Sequence, residues 1–515
     1  MAHHSLYFPR LPLVSGQLQS LWRHRLRATA LSAALSALLG LAVAQALPRG
    51  PATAVATLTV MVTSLVVGFI AGLTVRSRWV AVPIILTHIL AVEIGRLDVA
   101  GPTVNGLRLN EPFGILALAL GRGFHGLVGL LPMVIGVFWG VVMAMRLGGR
   151  APGRFPKKRL IITTLAMVLL AELIALPASN PSIVNADGSP RPNSIAGLEK
   201  VRLGGKDQWL MLRGYHTDSP VVLYLSGGPG QSDLPFSRVM FDDLAQHFVV
   251  VSWDQRGTGK SYASLDPTAT LTLEQAVSDT VELTRYLCQR FGEEKIYLLG
   301  ESWGTTLGVL AVQQHPELYH AWIGSGQMVS QRETDRRIYR DLLTLAAAEK
   351  DGALAAKLRA YGEPPYRDTP YANAFIFSQY GRLYRPYSPP CSYLQRGSDA
   401  NLGPWGIWGQ EYSLVEKVNV LRGLIDMFSI LYPQLQTVDF RDTVQRLEIP
   451  VYILDGKAEL AARRDLALEW FEQLEAPQKQ WLSFENAAHS VAFEQFEALA
   501  KLMVDTVLPE TYPTR

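Results

Sequence analysis

The chain has 515 residues, with 48 lysines and arginines against 45 aspartates and glutamates and a formal charge of +3. Charges so evenly balanced exclude a protein organised around nucleic acid, which needs a concentrated basic surface. A mean hydropathy of +0.12 is high for a wholly water-exposed chain, and this length accommodates about two to four domains.

The apolar residues concentrate at the front. Leu26 to Leu47 and Pro51 to Val75 are long uncharged runs, and Phe124 to Met145 and Leu160 to Leu176 are two more. Trp79 to Ile94 is shorter and carries His88 and Glu93. A crossing needs about 20 apolar residues, within a range of about 17–25. The pattern predicts five spans, with four or six as alternatives. Trp79–Ile94 is the weakest span, and Pro112–Leu120 is a re-entrant piece or part of another span. Several apolar runs in succession are not the single run of a cleaved signal peptide. Arg23, Arg25 and Arg27, then Arg76 and Arg78, then Arg146, Arg150, Arg154, Lys157, Lys158 and Arg159 fall on one side of these spans. Only Arg49, Arg96, Arg108 and Arg122 fall on the other. This bias places the N-terminus in the cytoplasm. Five spans then put everything after Leu176 outside the cell membrane, and an even number reverses that. His88, Glu93 and Glu172 are expected to pair between helices or to sit at the water interface.

Residues 178–196 read as a linker, since "ASNPSIVNADGSPRPNS" is rich in Pro, Asn and Ser and has no apolar period. Strand-like runs follow at "VVLYL", "FVVVSW", "IYLL", "AWIG" and, much later, "IPVYIL". A helix begins at a capping box of Thr272 and Gln275 and buries Val277, Val281, Cys288 and Phe291 on one face. Apolar strands alternating with helices define a mostly parallel sheet covered on both faces. The alternation breaks over residues 327–446, a helical and aromatic stretch read as a lid. The α/β core then comprises residues 197–326 and 447–515, preceded by a membrane domain over 1–177. Two cysteines, Cys288 and Cys391, read as isolated thiols, and no cysteine–histidine spacing calls for zinc. Neither a metal nor a cofactor is expected.

The segment Gly300-Glu-Ser-Trp-Gly304 lies between a strand-like run and a helix-like run. Gly-x-Ser-x-Gly in that context is a nucleophile elbow: the serine occupies a strained turn, and glycine on either side removes side chains that would collide there. Ser302 is therefore the candidate nucleophile. A serine hydroxyl needs a base, and where this elbow occurs the partners follow in the order serine, acid, histidine. The only histidine beyond His320 is His489, after the last strand-like run, which makes it the candidate base. The acid is expected after "IPVYIL", where Glu459 is favoured, Asp455 is second and Asp465 third; its role is to orient the imidazole. Oxyanion donors are expected at the backbone N–H groups of Trp303 and Gly228, the latter in the Gly227–Gly230 loop. "GTGKS" at Gly257–Ser261 imitates the end of a phosphate loop, but Asp254 stands where that motif requires glycine.

The blocks "LYLSGGPG", "VVSWDQRGTGKS", "LLGESWGTTLGVLAVQQHPE", "GSGQMVS" and "FENAAHSVAFEQ" resemble the α/β-hydrolase group that contains prolyl aminopeptidases (proline iminopeptidases). The resemblance runs from about Val221 to the C-terminus. It implies an α/β-hydrolase fold with a helical lid, with Ser302, His489 and the 227–230 loop in their expected roles. It also implies lid carboxylates that bind a substrate amine, for which Glu333 and Glu411 are candidates. Two departures stand out: Ser226 replaces the family's histidine before Gly-Gly-Pro-Gly, and "GKAELAARRD" replaces its aspartate loop. Tyr384, Tyr387, Tyr393, Trp405, Trp408 and Tyr412 either line an apolar pocket or pack the lid's own core. The expected function is a membrane-anchored serine hydrolase acting on small peptides, with ester or lipid-ester hydrolysis as the alternative. A non-enzymatic sensor on a membrane protein is the reading from a different class.

Overall fold

The structure, a computed structural model, describes residues 15–148 and 157–513. Arg150 and Arg154 of the basic loop lie outside the described residues. The chain divides into two compact units, Met1–Ala100 with Leu118–Leu176, and Gly101–Ala117 with Pro177–Arg515.

Among the described residues of the first unit and the segment that interrupts it, four helices are long and apolar enough to cross a membrane: Arg25–Ala46, Ala54–Val75, Arg78–Gly95 and Pro112–Leu147. A fifth helix, Lys157–Ala175, is 19 residues long, but Lys157, Lys158, Arg159 and Glu172 make it more polar than the others. Of the two expectations for Pro112–Leu120, a re-entrant piece or part of another span, the second fits: it belongs to a long apolar helix. It is the start of the helix that continues to Leu147, which includes π-helical turns at Ala119–Gly123 and Gly126–Leu130. Helices Ala54–Val75 and Leu131–Leu147 pack through paired glycines. A Cβ on Gly68 would stand 1.9 Å from the Met133 carbonyl oxygen, and one on Gly136 would stand 2.1 Å from that of Leu65. Gly72 and Gly140 repeat the contact one turn further on. Small residues on both helices let the two backbones approach this closely. His88 meets His125, their Nε2 atoms 3.4 Å apart. Glu93 accepts from Arg122 at 2.9 and 3.0 Å and also pairs with Arg96. Both residues thus make the interhelical pairs expected of them, whereas Glu172 is exposed.

The second unit is built on an eight-stranded sheet of order β1-β2-β4-β3-β5-β6-β7-β8. The strands are β1 (Ile195–Leu203), β2 (Lys206–Gly214), β3 (Val221–Leu225), β4 (Val249–Asp254), β5 (Ile296–Glu301), β6 (Tyr319–Ser325), β7 (Val451–Gly456) and β8 (Lys479–Phe484). From β4 to β8 the pairing is parallel, while β1 and β2 add an antiparallel edge. β3, β4, β5 and β7 are buried along their whole length, as continuous apolar runs between two helical layers require. The β1–β2 hairpin begins two residues before the expected start of the core. Its Gly204-Gly205 turn has φ of +52° and +74°, which suits a tight hairpin. Five helices of nine or more residues lie between β6 and β7: Gln331–Ala348, Gly352–Tyr361, Thr369–Leu383, Cys391–Asp399 and Leu414–Leu431. At the expected capping box, Thr272 accepts from the Gln275 N–H, but the Gln275 side chain turns to Asp279 instead. Cys288 is half-buried and Cys391 exposed, and both are free thiols.

Candidate active site

β5 ends at Glu301, and the next residue, Ser302, has φ +52° and ψ −117° before the helix Trp303–Gln314 begins. A positive φ in a residue with a Cβ is strained and persists only where its surroundings enforce it. Here the Ser302 N–H donates to the Ser325 carbonyl at 3.0 Å, and the Ser302 carbonyl accepts from the N–H of Thr305 at 2.8 Å and its hydroxyl at 2.6 Å. The flanking glycines are needed because neighbouring strands crowd the corner. A Cβ on Gly304 would lie 2.1 Å from the Leu225 carbonyl oxygen, and one on Gly300 would lie 2.5 Å from the Trp322 ring. The collision that glycine avoids is therefore with β3 and β6 as well as within the turn.

The loop after β3 runs beside the serine. A Cβ on Gly227 would be 3.4 Å from Ser302 Cβ, and Gly228 has φ +117°. Ser226, in place of the family's histidine, serves this loop: its hydroxyl donates to the Gln231 carbonyl at 3.3 Å, and Gln255 Nε2 reaches the same hydroxyl at 3.3 Å. The Trp303 indole donates to Gln255 Oε1 at 2.8 Å. The residue after the serine and the glycine loop are thereby fixed to one glutamine that the sequence did not single out.

His489 and Glu459 meet because their loops are joined by backbone hydrogen bonds. The Lys457 N–H donates to Phe484, and the Ala458 N–H donates to Ala487 at 3.0 Å. Gly456 allows this approach, since a Cβ there would stand 2.1 Å from the Ala488 carbonyl oxygen. His489 Nδ1 is hydrogen-bonded to Glu459 Oε2. The imidazole lies against Gly326, where a Cβ would be 2.9 Å from Nδ1. Ser302 and His489 thus both abut the C-terminal end of β6, at Ser325 and Gly326.

Glu459 Oε1 accepts from the Leu460 N–H at 2.7 Å, Tyr384 Oη at 2.8 Å and Arg463 Nη1 at 3.1 Å. Burial alone would raise the Glu459 carboxyl. The charges of His489 and Arg463, with hydrogen bonds from His489 and Tyr384, outweigh it and hold the group well below the usual carboxylate range. Tyr384 and Arg463 were not assigned to this site by their positions in the sequence; only the folded lid brings Tyr384 to the acid loop.

The other candidates lie elsewhere. Asp455 is held by Arg464 at 2.9 Å, Ser483 at 2.9 Å and Trp481 at 3.3 Å, and Asp465 is exposed on the helix Ala461–Gln473. Glu333 pairs with Arg337 and Arg340 at 3.3 Å, and fully buried Glu411 pairs with Arg238. Each carboxylate expected to receive a substrate amine thus has an arginine partner, while Glu411 Oε2 has no hydrogen-bond partner. Among the lid aromatics, Tyr384 and Tyr387 line a groove of about 470 Å³ with Leu383, Pro386, Lys457 and Glu459. Tyr412 is buried and bonds Asp254 at 3.0 Å, and Trp408 is exposed. Tyr393 packs against the sheet core. The side chain of Trp405 lies outside the described residues. Among the described residues there is no group of three or more His, Cys, Asp or Glu side chains placed to hold a metal ion.

Two buried carboxyls flank the site. Glu301 precedes the nucleophile candidate and accepts from Ser490 at 2.9 Å, and Glu494 accepts from the Ala488 N–H at 2.6 Å. They hold the residues on either side of His489. Burial first, and then the nearby charge of Asp233, pushes Glu301 well above the carboxylate range.

The sheet order, the strained serine turn after β5 and the loops after β7 and β8 that carry Glu459 and His489 define an α/β-hydrolase fold. Residues 220–357 match the family model described as the alpha/beta hydrolase fold. A probable aminopeptidase of Bacillus subtilis, YbaC, is 28% identical over 313 residues, covering 59% of this chain and 94% of its own. A proline iminopeptidase of Lactobacillus helveticus is 24% identical over 312 residues, covering 59% and 95%. Among solved structures, a proline iminopeptidase of Mycobacterium smegmatis is 17% identical and covers 60% of this chain and 97% of its own, with a TM-score of 0.43.

Proposed function

We propose that the protein is a membrane-anchored serine hydrolase, an aminopeptidase acting on small peptides, with Ser302 as nucleophile, His489 as base and Glu459 as the orienting acid. The observation that carries this reading is the strained, glycine-flanked Ser302 at the end of β5, together with a buried Glu459 bonded to His489. Ser302 Oγ attacks the substrate carbonyl while His489 Nε2 takes its proton. Glu459 holds Nδ1–H and stabilises the imidazolium. The N–H groups of Trp303 and Gly228 receive the oxyanion. Collapse transfers the proton to the leaving amine and leaves an acyl-enzyme, which water attacks with the same histidine as base. The preference for peptides over esters is supported by the aminopeptidase names of the relatives.

The reading places five helices across the cell membrane and the hydrolase unit outside. It is supported by residues 101–111, which lie in sequence between the third and fourth apolar helices yet pack as part of the hydrolase unit. Two parts of one packed unit share one side of a bilayer. An even number of crossings must then separate residue 111 from residue 177, which the helices Pro112–Leu147 and Lys157–Ala175 supply. The arginine and lysine bias puts the opposite side in the cytoplasm.

The test is labelling of the full chain by a fluorophosphonate, with turnover of a panel of aminoacyl-amides and short-chain esters. Wild type is expected to label and Ser302→Ala to remain unlabelled. Labelling of Ser302→Ala equal to wild type overturns the serine assignment. Ester turnover without aminoacyl-amide turnover overturns the aminopeptidase assignment.

A further inference from the structure

The segment 101–117 grips three helices inserted between β6 and β7. Asp426, fully buried on the helix Leu414–Leu431, accepts from the Thr103 N–H at 3.2 Å and from Thr103 Oγ1 at 2.5 Å. The Tyr262 hydroxyl gives the same carboxylate another hydrogen bond at 2.7 Å. Arg108 pairs with Asp368, and its guanidinium lies 4.1 Å from the centre of the Tyr371 ring on the helix Thr369–Leu383. Phe113 meets the same ring edge-on at 5.0 Å. Glu111 accepts from Tyr361 at 2.9 Å and pairs with Lys357 at 3.4 Å, both on the helix Gly352–Tyr361.

The Asp426 helix also touches the catalytic loops. One turn before Asp426, Gly423 packs against the glycine loop after β3: a Cβ on Gly230 would stand 2.6 Å from the Gly423 carbonyl oxygen. On the same helix, a Cβ on Gly423 would stand 2.9 Å from the Gly257 carbonyl oxygen, in the loop after β4. Contacts this close transmit displacement, because packed backbone cannot be compressed. The path runs from Thr103 through Asp426 and Gly423 to Gly230, two residues from the proposed oxyanion donor at Gly228.

We propose that segment 101–117 is a brace supplied from between two membrane helices, and that Thr103 is a positioning residue for the oxyanion loop, acting through Asp426. This rests on the reading of Ser302 and Gly228 given above. The bond from Thr103 Oγ1 to a buried carboxylate is charge-assisted, and removing it takes one of the hydrogen bonds that tie Asp426 to segment 101–117. The Asp426 helix then shifts, and Gly423 no longer seats Gly230. An oxyanion donor acts only in the transition state, so its misplacement lowers kcat and leaves KM nearly unchanged.

The experiment uses the full chain in membranes, with active sites titrated by a fluorophosphonate. Thr103→Val is expected to lower kcat per titrated site by about tenfold, the scale of a misplaced rather than a deleted donor, with KM within about twofold of wild type. Thr103→Ser, which keeps the hydroxyl, is expected to restore kcat to within about twofold of wild type. Wild-type kcat per site in Thr103→Val overturns the proposal. So does a loss that falls only on the number of titratable sites, because that is a folding effect alone. If Thr103→Val gives no titratable protein, Asp426→Asn provides the same comparison, and an unchanged kcat there overturns the proposal equally. Retained turnover in Ser302→Ala means that the underlying reading has failed. Lost turnover in Ser302→Ala with an unaffected Thr103→Val means that only the brace has failed.

Discussion

Glu459→Gln removes one negative charge from between His489 and Arg463 while keeping the shape of the side chain. In the proposed mechanism His489 becomes cationic, and Glu459 is the carboxylate bonded to its Nδ1. Unit charges at about 4 Å in an effective dielectric of about 20 attract by about 4 kcal/mol. The amide oxygen still accepts the Nδ1–H bond, so the expected cost is somewhat smaller, about 3 kcal/mol, or roughly 10²-fold in kcat. A second consequence follows from Arg463, buried and paired among the described residues with no carboxylate other than Glu459. Removing one partner of a buried pair costs on the order of 3–5 kcal/mol, so the variant is also expected to be measurably less stable near neutral pH. The folded Glu459 carboxyl lies well below its unfolded value. Its contribution is therefore fully present above the unfolded carboxylate value of about 4.3 and is lost as pH falls from there through the folded value. The stability gap between wild type and Glu459→Gln should close over that acidic range. The assay is kcat per titrated site near neutral pH, with denaturant melts across the pH series. Activity within about threefold of wild type refutes the assignment. So would a larger loss in Asp455→Asn, whose carboxylate is committed to Arg464, Ser483 and Trp481.

Gly304→Ala places a methyl group 2.1 Å from the Leu225 carbonyl oxygen. The expected result is destabilisation of about 1–3 kcal/mol or more, measured by denaturant melts, and an unchanged midpoint contradicts the packing argument. Asp254 is buried, which pushes its carboxyl up to about 7 against hydrogen bonds from the Lys260 N–H and Tyr412. A raised acid keeps its proton longer in the folded state, so wild-type stability falls as pH rises from about 4 towards 7. Asp254→Asn should flatten that slope, and an unaltered slope would count against the assignment. For topology, Leu107→Cys in a Cys288→Ser, Cys391→Ser background exposes a thiol at a position that is 64% accessible. A membrane-impermeant maleimide added to intact cells is expected to label it, and labelling only after lysis would place the loop and the hydrolase unit in the cytoplasm.

The features legible in the sequence were those that local backbone chemistry dictates. Continuous apolar strands gave the parallel sheet, and glycines spaced around Ser302 marked a turn whose positive φ excludes most side chains. The fixed chain order of the elbow's partners led to His489 and Glu459, and Gly456 then proved to be the residue that lets their loops touch. The β1–β2 edge was less visible because "GLEKVRL" alternates only weakly and its strand is half-exposed. The fourth apolar helix was read as shorter than it is, because Arg122 and three glycines in "GRGFHG" interrupt the hydropathy without interrupting the helix.

Side-chain partnerships across long loops were not legible. Tyr384 reaches Glu459 over 75 residues, and nothing in the sequence around either residue encodes that meeting. The glutamates chosen for a substrate amine, Glu333 and Glu411, were chosen by residue type alone, and type cannot distinguish a free carboxylate from one paired with Arg238 or Arg337. Thr103 is the extreme case, 323 residues from Asp426. A threonine in a short polar loop between apolar helices carries no local sign of function, and an aspartate inside an amphipathic lid helix looks like a solvated charge. Only their shared burial identifies them. Asp426, fully buried on an otherwise apolar turn, requires donors, and Thr103 and Tyr262 supply them.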